Sequence, residues 1–373
     1  AGDERALTRA LAINPNSVLA LETYGQLLLM NSRNEEAKEY FERALNLNPQ
    51  SLKTLSILAA QAIFNQRPEE YEQYKARVDA FSPNNPQFLG DIADTFGNNY
   101  LFAEAVEFAR AAIQSDPEYW QGYTLLGSNL IRLGEEIEGK ENLEIGFEND
   151  PFNVMTSNML KVFDTLETYE TLESEHFKVH MSENDADILW PYMEPLLEES
   201  WDTLTAKYGF EPEGPILIEV FENSADFAVR SVGLPDIGPL VGICFGKVVT
   251  LISPDTLAAN WQEIVWHEFM HVITLQMTNN RMPRWLSEGI SVWEEREGRS
   301  YWGRSQGLDL VRAAKDEKLL HVKDLNSGFS GARDNADLGF AYFQSYLVVD
   351  YISEEYGFDK LLELIDQYAV VKD

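Results

Sequence analysis

The segment WHEFMHVITLQM (residues 266–277) places His267 and His271 four residues apart, with Glu268 directly after the first. On an α-helix, positions i and i+4 lie about 40° apart around the axis and roughly 6 Å apart along it, so both imidazoles can face one point. Glu268 sits about 100° round from His267, beside that point rather than on it. Two neutral imidazoles with a carboxylate alongside suit a zinc ion: the rings ligate, and the carboxylate takes a proton from water that the ion makes more acidic. A catalytic zinc keeps three protein ligands and one open position, so a third ligand has to come from an element that packs back against this helix.

Thr278, Asn279 and Asn280 break the first helix, and Pro283 suits the start of a second. Glu288 then lies about a turn and a half into that second helix, with 16 residues between it and His271. This combination, ending in PRWLSEG (283–289), resembles the gluzincin branch of the zinc metallopeptidases, where a glutamate of the following helix completes the metal site. WLSEG is similar to the WLxEG of peptidase MA-like families and of the aminopeptidase N type. The resemblance covers about 171–370. It implies an α+β zincin-like metallopeptidase domain that hydrolyses peptides or proteins, with one zinc per chain held by His267, His271 and Glu288, and Glu268 as the base.

The same resemblance implies roles for further residues. Gly289, beside the ligand, permits close helix packing. Glu295, seven residues after Glu288 on the same face, matches an acid that orients a ligating imidazole. Other gluzincins use an aspartate four residues after the ligand, where this chain has Val292, and a surface salt-bridge role for Glu294 and Glu295 is the alternative. FAYFQSYLVVDYISEEYGFDKLLELI (340–365) reads as two helices split at Gly357 and resembles the helix that follows the zinc glutamate. It offers Tyr342 as donor to a developing oxyanion, with Tyr346 in reserve and plain core packing as the alternative. GICFGKVVTLISP (242–254) resembles the edge strand over which such peptidases lay an extended substrate. Gly242, Ile243, Cys244 and Phe245 are therefore the expected substrate-binding residues, acting through backbone pairing, although Gly242 and Gly246 equally suit turns. No GAMEN-type segment precedes the zinc helix, which favours endopeptidase over aminopeptidase action.

Positioning such a site requires a sheet leading into the first zinc helix. Alternating or β-branched runs at 176–181, 215–221 and 247–252 predict strands. Between the first two, DADILWPYMEPLLEESWDTLTAKYG predicts an amphipathic helix closed by Gly209, and the zinc helix is expected to be capped by Ser253 or Asp255. NSGFSGARDNAD (326–337) reads as a loop. Cys244, His176, His180 and His321 have no ligand spacing and read as structural. Residues 281–318 carry eight bases against seven acids, so arginines near the cleft could receive acidic groups of a substrate.

The first half has another texture. Pro15, Pro49, Pro83, Pro117 and Pro151 are each 34 residues apart, and small residues recur at fixed offsets before them: Gly25, Ala37 and Ala44, then Ala105 and Ala112, then Gly127. The ruler resembles the tetratricopeptide repeat, whose small residues let paired antiparallel helices approach closely. Residues 52–85 fit less well, with Tyr71 and Lys75 at positions expected to be small and aromatic. The expected organisation is multidomain. An all-α superhelix over 1–152, of about four repeats with the first incomplete, is followed by a capping or linker helix over 153–170. The peptidase-like domain over 171–373 then divides into a mixed sheet (171–257) and a helical part with the zinc site (258–373). The resemblance implies a peptide or protein partner on the concave face of the repeats, with a rigid spacer as the alternative.

Composition excludes some partners. With 62 acids against 29 bases the net charge is −33, and both halves are acidic, so phosphate backbones and anionic headgroups are repelled and nucleic acid is not an expected partner. No stretch approaches the roughly 18 to 20 apolar residues of a bilayer span. One cysteine rules out an internal disulfide and leaves the compartment open. The opening ERALTRALAINP reads as the second helix of a pair, which suggests a piece of a longer precursor, and for a bacterial chain an exported or periplasmic location is then favoured. The rival to a hydrolase is an inert peptidase-like domain in an interaction scaffold.

Overall fold

The computed structural model describes residues 4–31, 33–236, 238, 240–303 and 307–369. Helix starts in the first half fall on the proline ruler. Ser17, Ser51, Asn85 and Asn153, each two residues beyond a ruler proline, accept the backbone N–H of Ala20, Thr54, Phe88 and Thr156. Each such cap contributes about 1 kcal/mol. The remaining position, Tyr119, makes no side-chain cap. The helices are α1 (Glu4–Ile13), the pairs α2 (Val18–Met30) with α3 (Asn34–Leu47), α4 (Leu52–Phe64) with α5 (Pro68–Asp79), α6 (Pro86–Gly97) with α7 (Phe102–Ser115), α8 (Trp120–Arg132) with α9 (Glu136–Asn149), and α10 (Val154–Leu166). The pair with the weakest sequence match keeps its form because Tyr71 packs edge-on against Phe108, at 6.3 Å.

The second half opens with a five-stranded sheet: β1 (Glu170–Glu173), β2 (Phe177–Met181), β3 (Ile216–Phe221), β4 (Gly242–Cys244) and β5 (Val248–Ile252), in the order β1-β2-β3-β5-β4. The inner strands are parallel, and β1 and β4 run antiparallel at the edges. Helices α11 (Glu183–Tyr208), closed by the left-handed Gly209, and α12 (Ser224–Val232) connect the strands. There follow α13 (Trp261–Met277), α14 (Arg284–Gly298), α15 (Gly307–Lys315), α16 (Leu325–Ser330), α17 (Asn335–Tyr356) and α18 (Phe358–Ala369). Phe177, Val179, Ile216 and Ile218 of the sheet share one buried core with Leu197 and Leu204 of α11 and with Phe269, Met270 and Ile273 of α13. The sheet thereby fixes α13, which carries His267 and His271. No helix among the described residues is long and apolar enough to cross a membrane.

Three sequence expectations change. Strand β1 lies partly in the segment expected to be a linker and was missed because ETLE has no apolar alternation; it is held by its ladder to β2. The first zinc helix begins after Asn260, not at Ser253 or Asp255, because Ser253 already donates to Asp185 and accepts from the Asp255 amide within a tight turn. Residues 325–330 are helical rather than loop, since Leu325 and Phe329 are buried and tertiary packing outweighs the local Gly and Ser content.

The two halves meet along one edge of the repeat array, at the turns inside successive helical pairs. Ser330 donates to Asn31, Arg281 to the Phe64 carbonyl, Asn280 to the Tyr100 carbonyl and Arg230 to the Ile131 carbonyl. Phe102 and Leu133 of the repeats join Leu217, Phe245 and Val248 of the sheet in one apolar cluster, and Ile131 and Leu143 share another with Phe221 and Phe227. An apolar seam of this kind fixes the repeats against the sheet rather than leaving them on a free linker.

Candidate metal centre

Helix α13 presents His267 and His271 on one face, and α14 returns across it with Glu288. The return is close because Gly289 lies against α17: a Cβ there would stand 2.7 Å from the Ser345 carbonyl oxygen. His267 Nε2 and His271 Nε2 are 3.1 Å apart, and Glu288 Oε2 is 3.4 Å from the first and 3.1 Å from the second. A tetrahedral zinc with bonds of about 2.0–2.1 Å separates its ligand atoms by roughly 3.3 Å. The three atoms thus have the spacing and chemistry of a zinc ligand set, and the residues fit the ion.

Both imidazoles are oriented from behind. His267 Nδ1 donates to Glu295 Oε1 at 2.6 Å, and His271 Nδ1 lies 2.8 Å from Ser287 Oγ, which in turn meets Thr274 Oγ1 at 3.1 Å. That leaves each Nε2 for the common point. Glu288 uses Oε2 there, while its Oε1 accepts from Arg284 Nε at 3.0 Å and from the Tyr342 hydroxyl at 3.5 Å. Burial opposes charge on both partners, yet Glu288 and Glu295 hold His267 well above its ordinary range, and His271 and His267 hold Glu288 well below the carboxylate range.

Glu268 is buried beside the triad, and its Oε2 has no hydrogen-bond partner among the described residues. Burial raises its pKa, with the carboxylates of Glu288 and Glu295 adding to the rise and the two histidines opposing it. Edge strand β4 runs directly over it: a Cβ at Gly242 would stand 2.5 Å from Glu268 Oε1, so a larger residue there would displace the carboxylate from its present position.

The structure brings together His267, His271, Glu288, Glu268, Glu295 and Tyr342. Gly242 and Ile243 are partly exposed on β4, whereas Cys244 and Phe245 are buried and can offer a substrate only backbone atoms. Tyr346 turns away to Arg296, whose guanidinium lies 4.3 Å from its ring centre. The surface salt-bridge alternative is overturned for both acids: Glu295 is buried on His267, and Glu294 is buried against Tyr208 and Lys207. Arg299 is taken by Glu199 and Arg281 by the repeats, while Arg284 stands at the site, half-exposed. Sequence reasoning missed Ser287, although it sits inside WLSEG next to the ligand, and it missed Arg284, one turn before the ligand.

A second group went unseen because its members are far apart in sequence. Glu136, His180 and Glu219 have potential ligand atoms within 4.8 Å of one another. Arg230 lies in that group, with Nε 2.8 Å from Glu219 Oε2.

Among known proteins, residues 198–372 match the Peptidase MA superfamily and residues 6–39 match a tetratricopeptide repeat. The second half of the chain is thus similar to the Peptidase MA superfamily and its start to one tetratricopeptide repeat, in a fold that is mostly helical with a mixed helix and sheet region in its second half. No curated protein matches it. Among solved structures it is similar to YrrB, a TPR protein with an unusual peptide-binding site, at 19% identity and TM-score 0.26, covering 42% of this chain and 83% of that one. It is also similar to the TPR domain of P58(IPK), at 11% identity and TM-score 0.25, covering 97% of this chain and 81% of that one.

Proposed function

We propose that this chain is a zinc-dependent peptidase, with His267, His271 and Glu288 holding one zinc ion. The observation that carries the reading is the 3.1–3.4 Å triangle of ligand atoms with the unpartnered Glu268 carboxylate beside it. Zinc held there would supply Lewis acidity and lower the pKa of a water molecule toward neutrality. Glu268 Oε2, unpartnered among the described residues, would accept the proton of an attacking water and hand it to the leaving amine. An extended peptide pairs with the outer edge of β4. The odd-numbered residues of that strand already bond to β5, which turns the amides and carbonyls of Gly242 and Cys244 outward. The Tyr342 hydroxyl, held loosely by Glu288, donates to the peptide oxygen as its charge grows. Pairing of this kind is independent of chain ends and favours internal cleavage.

Elemental analysis with an unstructured casein substrate tests the proposal. The expected result is one zinc per chain, hydrolysis by the wild type, and retained zinc with lost hydrolysis in Glu268→Gln. Zinc retained without any wild-type hydrolysis across varied peptides would instead make the domain an inert scaffold.

A further inference from the structure

Position 100 is one step of the 34-residue ruler. The turn residues Gln66, Tyr100 and Gly134 are each 34 apart and all have left-handed backbone, with φ of 56°, 63° and 85°. Glycine meets this conformation without strain, as at Gly134, whereas a bulky aromatic residue is strained by it. A strained aromatic side chain at a turn where a sister turn has glycine calls for a reason in what its ring touches.

Its surroundings supply one. The Tyr100 ring stacks on Phe245 at 6.1 Å and 25°, and lies 5.3 Å from Phe102. Phe245 and Phe102 are buried, whereas Tyr100 at the end of the stack is partly exposed as a residue, with its hydroxyl turned inward where burial raises its pKa. Phe245 follows directly on edge strand β4. The Tyr100 carbonyl accepts from Asn280 Nδ2 at 2.7 Å, and Asn280 belongs to the turn joining the two helices that carry His267, His271 and Glu288. Arg284 and Glu288 are among the charged groups close enough to act on its hydroxyl.

We infer that the repeat array forms one wall of the substrate cleft, and that Tyr100 is a specificity-determining residue whose ring, at the end of the aromatic stack, receives a large apolar or aromatic side chain of a peptide lying on β4. This deepens the peptidase reading and rests on it for the chemistry, but the contact itself concerns binding. The repeats on this account do more than recruit a distant partner: their α6–α7 turn takes part in choosing the bond to be cut. An aromatic ring set against an apolar side chain discriminates by contact area and ring geometry.

The test compares full-length wild type with Tyr100→Gly and Tyr100→Phe. Glycine relieves the backbone strain while removing the ring, so loss of folding is not the expected outcome, and thermal melting checks this. Cleavage sites in a peptide mixture are mapped by mass spectrometry, and binding of matched peptides differing at one position (Phe, Leu or Ala) is measured by calorimetry in the Glu268→Gln background. The expected result is a fall of about tenfold in the Phe-over-Ala preference with Tyr100→Gly, in cleavage and in binding, and retention of that preference with Tyr100→Phe. An unchanged preference in Tyr100→Gly, or no binding of any of the peptides, overturns the inference. Tyr100-dependent binding without hydrolysis by the wild type would sink the peptidase reading and leave this wall of the cleft standing.

Discussion

Two groups of histidine and glutamate lie in this molecule, and they differ in what supplies their positive charge. In the first, His267, His271 and Glu288 face a common point with the carboxylates of Glu268 and Glu295 nearby, and Arg284 is bonded to the far oxygen of Glu288. In the second, potential ligand atoms of Glu136, His180 and Glu219 also lie within 4.8 Å of one another, but the Arg230 guanidinium is already seated on Glu219, and the side chains of Arg230 and Glu219 are fully buried. A fixed guanidinium balances charge where a metal would otherwise do so. His180 Nε2 also has no hydrogen-bond partner among the described residues, whereas His267 is oriented by Glu295. Proximity of ligand atoms therefore does not by itself make a metal site; the lack of a resident cation and the presence of orienting partners separate the two. The first group is open to chemistry, and the second ties the repeat helix α9 to strands β2 and β3.

The largest effect expected from this contrast is catalytic. Glu268→Gln should lower kcat by about 10²–10⁴-fold with zinc content unchanged, and steady-state kinetics alongside elemental analysis would check it. In the second group the loss should be one of stability: Arg230→Ala leaves Glu219 buried without its partner and should cost about 3–5 kcal/mol by denaturant unfolding, with the zinc stoichiometry still one. A drop in bound metal on changing Arg230 or His180 would break the comparison. Smaller again, Glu295→Gln should weaken zinc binding about 10–100-fold while the ion still binds, measurable by competition with a chelator.

The smallest effect is pH-dependent. Burial pushes Glu219 up to about 7, against the pull of Arg230 and with Glu136 adding to the rise. The folded state then holds a proton that the unfolded state releases near pH 4.5, so this group makes folding more favourable as pH falls from about 7 toward 4.5, and the contribution fades as pH rises through 7. Comparing unfolding of wild type and Glu219→Gln across pH 5–8 isolates it: wild type should gain relative to the variant as the pH is lowered. A constant difference would place Glu219 as a permanently charged partner of Arg230.

Much of the first site was legible because its information is local. A four-residue spacing on one helix, a proline start and a glutamate at fixed distance determine three converging atoms once two helices pack, and the same holds for the repeats, whose period shows in five prolines. Glu295 was legible through its seven-residue offset from Glu288. The second group was not, since Glu136, His180 and Glu219 come from a repeat helix and two strands, and only the parallel pairing of β2 with β3 sets His180 opposite Glu219. Tyr100 was hidden for the same reason. Its turn lies some 180 residues from Asn280, and no periodicity announces that an edge of the repeats will close on the zinc helices. Strand β1, with exposed polar residues, depends wholly on its neighbour for its form.

The central claim is most directly tested by a crystal of zinc-loaded protein measured at the zinc absorption edge. The account predicts a single anomalous peak about 2.0–2.1 Å from His267 Nε2, His271 Nε2 and an oxygen of Glu288, with none near His180. A peak at the His180 group, or none between the two imidazoles, would contradict it.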